Sequence, residues 1–211
     1  MKKTTFIILS CLLLIACSEQ ERKLPVFGTT YIEGNDTVYA AIRPFSFINQ
    51  DSLVITDETF KNRIYVADFI FLSCPTICPV MTRQLKRVYD AYSDNPHVYF
   101  LSHSIDPAND TVARLHAYTR ELGIDNTRWF FVTGNRDSIF SIANHSYFAT
   151  AFADSTAPGG FIHSGVFLLV DTDKHIRGAY DGTNADEADR LIRDIELLLA
   201  EEFPTHNSKQ N

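Results

Sequence analysis

Apolar residues recur along this chain in two rhythms, and the places where one gives way to the other mark out its elements. Ile64 to Leu72 is a near-continuous apolar run, the pattern of a strand buried on both faces, interrupted by Asp68. Val98 to Ile105 and Trp129 to Val132 read as two more such strands. Between them, Pro79 to Tyr92 sets Met81, Leu85, Val88 and Tyr89 at helical spacing. Asp110 to Leu122 predicts a helix with Val112, Leu115 and Tyr118 on one face, closed by Gly123 and capped by Asn109 or Asp110. Asn135 to Tyr147 is a third amphipathic segment. Ser164 to Asp171 and His175 to Tyr180 flank Thr172-Asp173-Lys174, a hairpin signal, and Ala185 to Glu202 closes the pattern as a helix facing Leu191, Ile195, Leu198 and Leu199 inward. Upstream, Phe45 to Ile48 and Leu53 to Thr56 flank the turn formers Asn49-Gln50-Asp51-Ser52 and read as an N-terminal β-hairpin.

Strand, helix, strand, helix, strand, helix, hairpin, helix predicts an α/β domain with a mixed central sheet flanked by helices. Working residues in such sheets gather at the carboxyl ends of strands, and Cys74 follows one of those ends.

The first residues obey a different logic. Lys2-Lys3, the apolar run Phe6 to Ile15 and small Ala16 before Cys17 form a secretory leader too short to span a bilayer. Leu14-Ile15-Ala16-Cys17 resembles a bacterial lipobox, which implies cleavage before Cys17 and acylation of its thiol. The boundaries expected are a lipoprotein signal peptide over 1–16, a tether over 17–42, the folded domain over 43–203 and a disordered tail over 204–211. The tether rests on the polar run from Ser18 to Asn35, which contains Pro25, Gly28 and Gly34 and no strand or helix period. Location outside the cytoplasm follows, on a bacterial membrane and most naturally its periplasmic side. Loss of Met1–Ala16 removes Lys2 and Lys3 and no acid, so the formal charge of −7 becomes −9, which argues against a nucleic-acid partner.

Of four cysteines, Cys11 lies in the leader and Cys17 at its end, leaving Cys74 and Cys78 to the domain. Four residues apart in Cys74-Pro75-Thr76-Ile77-Cys78-Pro79, they can direct both sulfurs to one point on a helical turn. Pro79 suits a first helical turn, and the unpaired N–H groups there favour thiolate. Such a pair suits redox exchange or a soft metal. His163, just ahead of a strand, is the candidate third ligand; His103 also nears a strand end, whereas His97, His116, His145, His175 and His206 read as surface or helix-face residues. A Cys₂His set suits copper in either oxidation state, Cu(I) or Cu(II), and also catalytic zinc. Thiol peroxidase chemistry has no specific pocket signal, and a disulfide staple over so short a loop would constrain the unfolded chain little.

Taken in order, Asp68-Phe69, Cys74-Pro75-Thr76-Ile77-Cys78-Pro79, Ser104-Ile105-Asp106-Pro107 with Asp110-Thr111, and His163 before Val166-Phe167-Leu168-Leu169-Val170-Asp171 resemble the SCO/SenC family. The likeness spans roughly residues 43 to 200 and implies a thioredoxin-like fold. It also implies copper held by Cys74, Cys78 and His163, and a role in building the copper centre of a respiratory oxidase, whose copper-accepting subunit would be the partner. The alternative is a thiol–disulfide oxidoreductase in which Cys74 attacks and Cys78 resolves. Thioredoxins place an acid six residues before the first cysteine, so Asp68 is a candidate proton acceptor, with a paired edge acid as the plain reading. Asp106 and Asp110 read as turn and capping residues.

Overall fold

The computed structural model describes residues 23–125 and 127–204. Its elements are β1 (Thr30–Glu33), β2 (Asp36–Tyr39), β3 (Ser46–Asn49), β4 (Val54–Thr56), β5 (Ile64–Ile70), α1 (Cys78–Ala91), β6 (Val98–Ser104), α2 (Val112–Glu121), β7 (Trp129–Thr133), α3 (Arg136–His145), β8 (Ala151–Ala153), β9 (Phe161–His163), β10 (Val166–Val170), β11 (Ile176–Asp181) and α4 (Ala185–Glu202).

Seven strands form the central sheet in the order β11-β10-β5-β6-β7-β3-β4. β5, β6 and β7 run parallel, while β3, β4, β10 and β11 are antiparallel to their neighbours. Every residue of β5 and β7 is buried, as continuous apolar runs demand of strands covered on both faces. On one face Phe100 and Trp129 pack on Tyr89 of α1; on the other, Phe69 meets Tyr147 just beyond α3, and Tyr65 bonds to the Tyr147 hydroxyl at 3.0 Å. α4 packs against α1 and β11. This is the mixed sheet flanked by helices that the pattern implied, and β3–β4 is the hairpin read from Phe45 to Thr56.

Local chemistry explains several helix ends. Asn135 and Asn184 cap α3 and α4 by accepting from the backbone of Ser138 and Asp186. Gly123 follows α2 at φ 63°, the left-handed conformation that ends a helix. The cap of α2 is neither Asn109 nor Asp110 but Thr111, whose side chain accepts from Arg114 N. Asp110 is fully buried instead.

Two pairings fall where no strand period is readable. β1–β2 lies inside the expected tether, and β8–β9 lies between Tyr147 and Ser164, a stretch with no predicted element. All four β1 residues are exposed and β8 buries only its first, so neither carries an apolar alternation. Part of the tether region is packed on the domain. Leu24 and Ile42 are buried, Phe27 N donates to Ile176 O at 2.8 Å, and Arg177 Nη2 donates to Leu24 O at 2.7 Å. The leader, Cys17 and residues 205–211 lie outside the described residues.

Candidate metal centre

Three strands and one helix carry the three candidate ligands to one place. β5 ends at Ile70, the chain turns so that Cys74 N donates to Phe71 O at 3.1 Å, and Cys78 opens α1. α1 has no side-chain N-cap and Pro79 occupies its first turn, so the Cys78 N–H is not taken by a capping side chain and donates to the Cys74 sulfur. β10 reaches the same place from the opposite direction. It lies antiparallel to β5, with Leu168 beside Ala67 and Val170 beside Tyr65. Residues before Val166 therefore project past the end of β5, which is where Cys74 sits. His163 ends β9, opposite Ala151 of β8, with its ring against Phe71 at 5.8 Å.

The two sulfurs and one imidazole nitrogen all lie within 4.8 Å of one another. Cys78 Sγ is 3.4 Å from His163 Nε2, and His163 Nδ1 is 3.3 Å from the Ser164 carbonyl. A carbonyl accepts, so Nδ1 carries the proton and the Nε2 lone pair is aimed at the thiols. A metal bonded to two sulfurs at about 2.3 Å would hold them about 4 Å apart, so closing this set needs shifts of an ångström or less. No other group of three potential ligands occurs among the described residues.

Electrostatics divides the two cysteines. Burial would raise Cys74, but hydrogen bonds from the Cys78 and Thr76 backbone and from the Thr76 and Cys78 side chains outweigh it, and its pKa falls below the ordinary thiol value. Burial raises Cys78, and the neighbouring Cys74 and Asp68 charges raise it further. Cys74 is therefore the more acidic thiol of the pair and the one more readily ionised. Burial lowers His163, which keeps the ring neutral and able to ligate.

The other sequence candidates divide cleanly. Asp68 lies beside Ser102 on the sheet face covered by α1 and is 1% exposed. Burial raises its pKa to about 7 while the Ser102 side chain pulls the other way, and Oδ1 has no partner. His103 lies on the opposite face, fully buried, stacked on Phe69 at 4.7 Å and ringed by Phe45, Phe47 and Tyr147, so it does not reach the thiols. Asp106 accepts from Asn109 Nδ2 at 2.9 Å within its turn. Thr76, 3.6 Å from Cys74 Sγ, was not singled out by sequence reasoning; a hydroxyl between two cysteines was the available signal.

A parallel-cored mixed sheet with a Cys-x-x-x-Cys pair at a helix start and a facing histidine defines a thioredoxin-like metal-site protein. The SCO1/SenC family model matches residues 34–200, and the chain belongs to that family. A SCO1/SenC family lipoprotein from Bacillus anthracis is 27% identical, with a TM-score of 0.69 over 75% of this chain and 95% of that one. BsSco, described as a disulfide-switch member of the Sco family of cytochrome c oxidase assembly proteins, is 30% identical at a TM-score of 0.66, over 75% and 93% of the two chains. Copper-bound ScoI from Arabidopsis thaliana is 26% identical at a TM-score of 0.62, over 74% and 99%.

Proposed function

We propose that this protein is a membrane-anchored, extracytoplasmic copper metallochaperone whose cargo is held by Cys74, Cys78 and His163 and passed on during assembly of a respiratory oxidase's copper centre. The carrying observation is the convergence of two sulfurs and Nε2 within 4.8 Å. Two thiolate sulfurs with one imidazole form a soft donor set that suits Cu(I) and tolerates Cu(II). With three protein ligands, a receiving protein's own ligand has room to enter as one of these leaves. Copper-bound ScoI and the oxidase-assembly description of BsSco support this reading by family kinship. The Leu14-Ile15-Ala16-Cys17 lipobox and the lipoprotein relative from Bacillus anthracis support acylation at Cys17 as the anchor.

The split between the two cysteines favours a second activity on the same atoms. Cys74, stabilised as thiolate, would attack a disulfide, and Cys78 would then displace the product thiol and close the Cys74–Cys78 bond. Asp68, buried beneath α1, would take the Cys78 proton in that second step. The thiolates are shared, so oxidation to the disulfide abolishes the copper site.

Copper titration of the full chain in detergent separates the readings. Reduced protein should bind one copper ion, and oxidised protein essentially none. His163→Ala should weaken copper about a hundredfold while disulfide exchange continues. Undiminished copper affinity in that variant, or equal uptake in both redox states, would remove the chaperone assignment.

A further inference from the structure

The two residues that deliver Cys74 to the site are gripped from outside the cysteine loop. Asp110 has no exposed surface, and its Oδ2 accepts from the Leu72 backbone N–H at 3.1 Å and from the Ser104 hydroxyl at 2.7 Å. Its Oδ1 faces Arg114 Nη1 at 3.3 Å, and Arg114 Nη2 donates to Ser73 Oγ, also at 3.3 Å. One carboxylate and one guanidinium thus hold Leu72 and Ser73, and tie them to the end of β6 and the first turn of α2.

A fully buried acid is costly unless donors surround it, so its placement calls for a reason. Capping is not that reason, because Thr111 caps α2. Nor does filling the apolar core explain it, since Asp110 spends its acceptors on a strand exit that β-pairing has already left: the β5–β6 ladder ends at Ile70 beside Ser104. What the contacts accomplish is a set position for the backbone entering Cys74.

We propose that Asp110, acting with Arg114, is a positioning residue for the metal centre: by clamping Leu72 and Ser73 it sets where Cys74 Sγ stands relative to Cys78 Sγ and His163 Nε2. Neither residue is a ligand; both act through the Leu72–Ser73 segment. The inference rests on the copper reading above and adds residues that the ligand triad does not include.

The test uses the full chain in detergent with Asp110→Ala, Asp110→Asn and Arg114→Ala. Copper affinity is measured by chelator competition, the Cu(II)–thiolate charge-transfer band by absorption, and the Cys74–Cys78 dithiol by equilibrium with reduced and oxidised glutathione. Asp110→Ala should weaken copper roughly tenfold to a hundredfold and move the band. Asp110→Asn retains an oxygen that can accept from Leu72 N, so its band should return toward the wild-type position. Arg114→Ala, at a side chain 45% exposed, should fold normally and shift the band in the same direction by less. A folded Asp110→Ala with wild-type affinity and band, or one that melts earlier with an unmoved band, would overturn the clamp. Should Asp110→Ala not fold, an unshifted Arg114→Ala band overturns it equally. A wild-type chain that takes up no copper would refute the chaperone reading alone. The clamp would then be judged in the glutathione buffer, where the Asp110→Ala disulfide equilibrium should move about tenfold and an unmoved one would overturn it.

Discussion

The two cysteines and the histidine reach the same point on supports of different construction. The cysteine arm is rooted in the core: it leaves β5, is gripped by Asp110 and Arg114, and enters α1, whose Met81, Leu85 and Val88 have no exposed surface. The histidine arm is the β8–β9 pair, two three-residue strands with Phe152 and Ile162 exposed. It is held by hydrogen bonds of Asn144 to both backbone groups of Ala151, by Ser164 N to Thr150 O, and by rings of Phe161 and His163 against Phe71. Local stability follows buried apolar contact, so the histidine arm is the one expected to yield first. A site assembled from a firm dithiol and a lightly held imidazole can let the imidazole move without disturbing the fold.

Ligand loss on the firm arm should have the largest effect. Cys78→Ser removes a thiolate and the resolving thiol together, so copper affinity should fall by well over a hundredfold and disulfide exchange should stop at a mixed disulfide. Retention of either property would break the contrast with His163→Ala, which is expected to spare exchange.

A smaller effect should come from the seating of the histidine arm. Gly159 sits at φ 80°, and a Cβ there would meet Phe71 side-chain carbons at 2.6 and 2.9 Å. Gly159→Ala should displace the β8–β9 turn and weaken copper about tenfold, with less than about 1 kcal/mol lost in global denaturant unfolding. Large global destabilisation with intact copper affinity would show that this hairpin is a structural support of the domain, not an adjustable arm.

The smallest change in copper binding should follow Asp68→Asn, which probes the firm arm from beneath. Burial raises Asp68 to about 7, so the folded state holds a proton that the unfolded chain releases near the ordinary aspartate value of 3.8. The associated stability is fully present below that lower value and is lost as pH rises toward 7. Denaturation across that window should show a declining wild-type curve and a flatter Asp68→Asn curve, together with slower disulfide exchange in the variant. Parallel curves and unchanged exchange would return Asp68 to a structural role.

Legibility tracked burial. α4 runs from Ala185 to Glu202, the bounds its periodicity implied, because its inward face repeats over five turns of apolar residues. β5, β6 and β7 were legible for the same reason. β1–β2 and β8–β9 were not, since their side chains mostly face solvent and backbone pairing leaves no mark on composition. Thr111 took the cap expected of Asn109 or Asp110 because Asp110 is turned inward to Leu72.

The sequence by itself determined the thiol pair, its position at a strand exit ahead of a helix, and the family order of motifs that singles out His163. Only the tertiary structure decided that the imidazole meets the sulfurs, because that meeting depends on β10 running antiparallel to β5 from far along the chain. It also decided that Cys74 and Cys78 differ in acidity, that His103 faces away, and that Asp110 grips Leu72. Each of these is a matter of which atoms surround a group once water is excluded, and linear order does not specify neighbours that arrive from other strands.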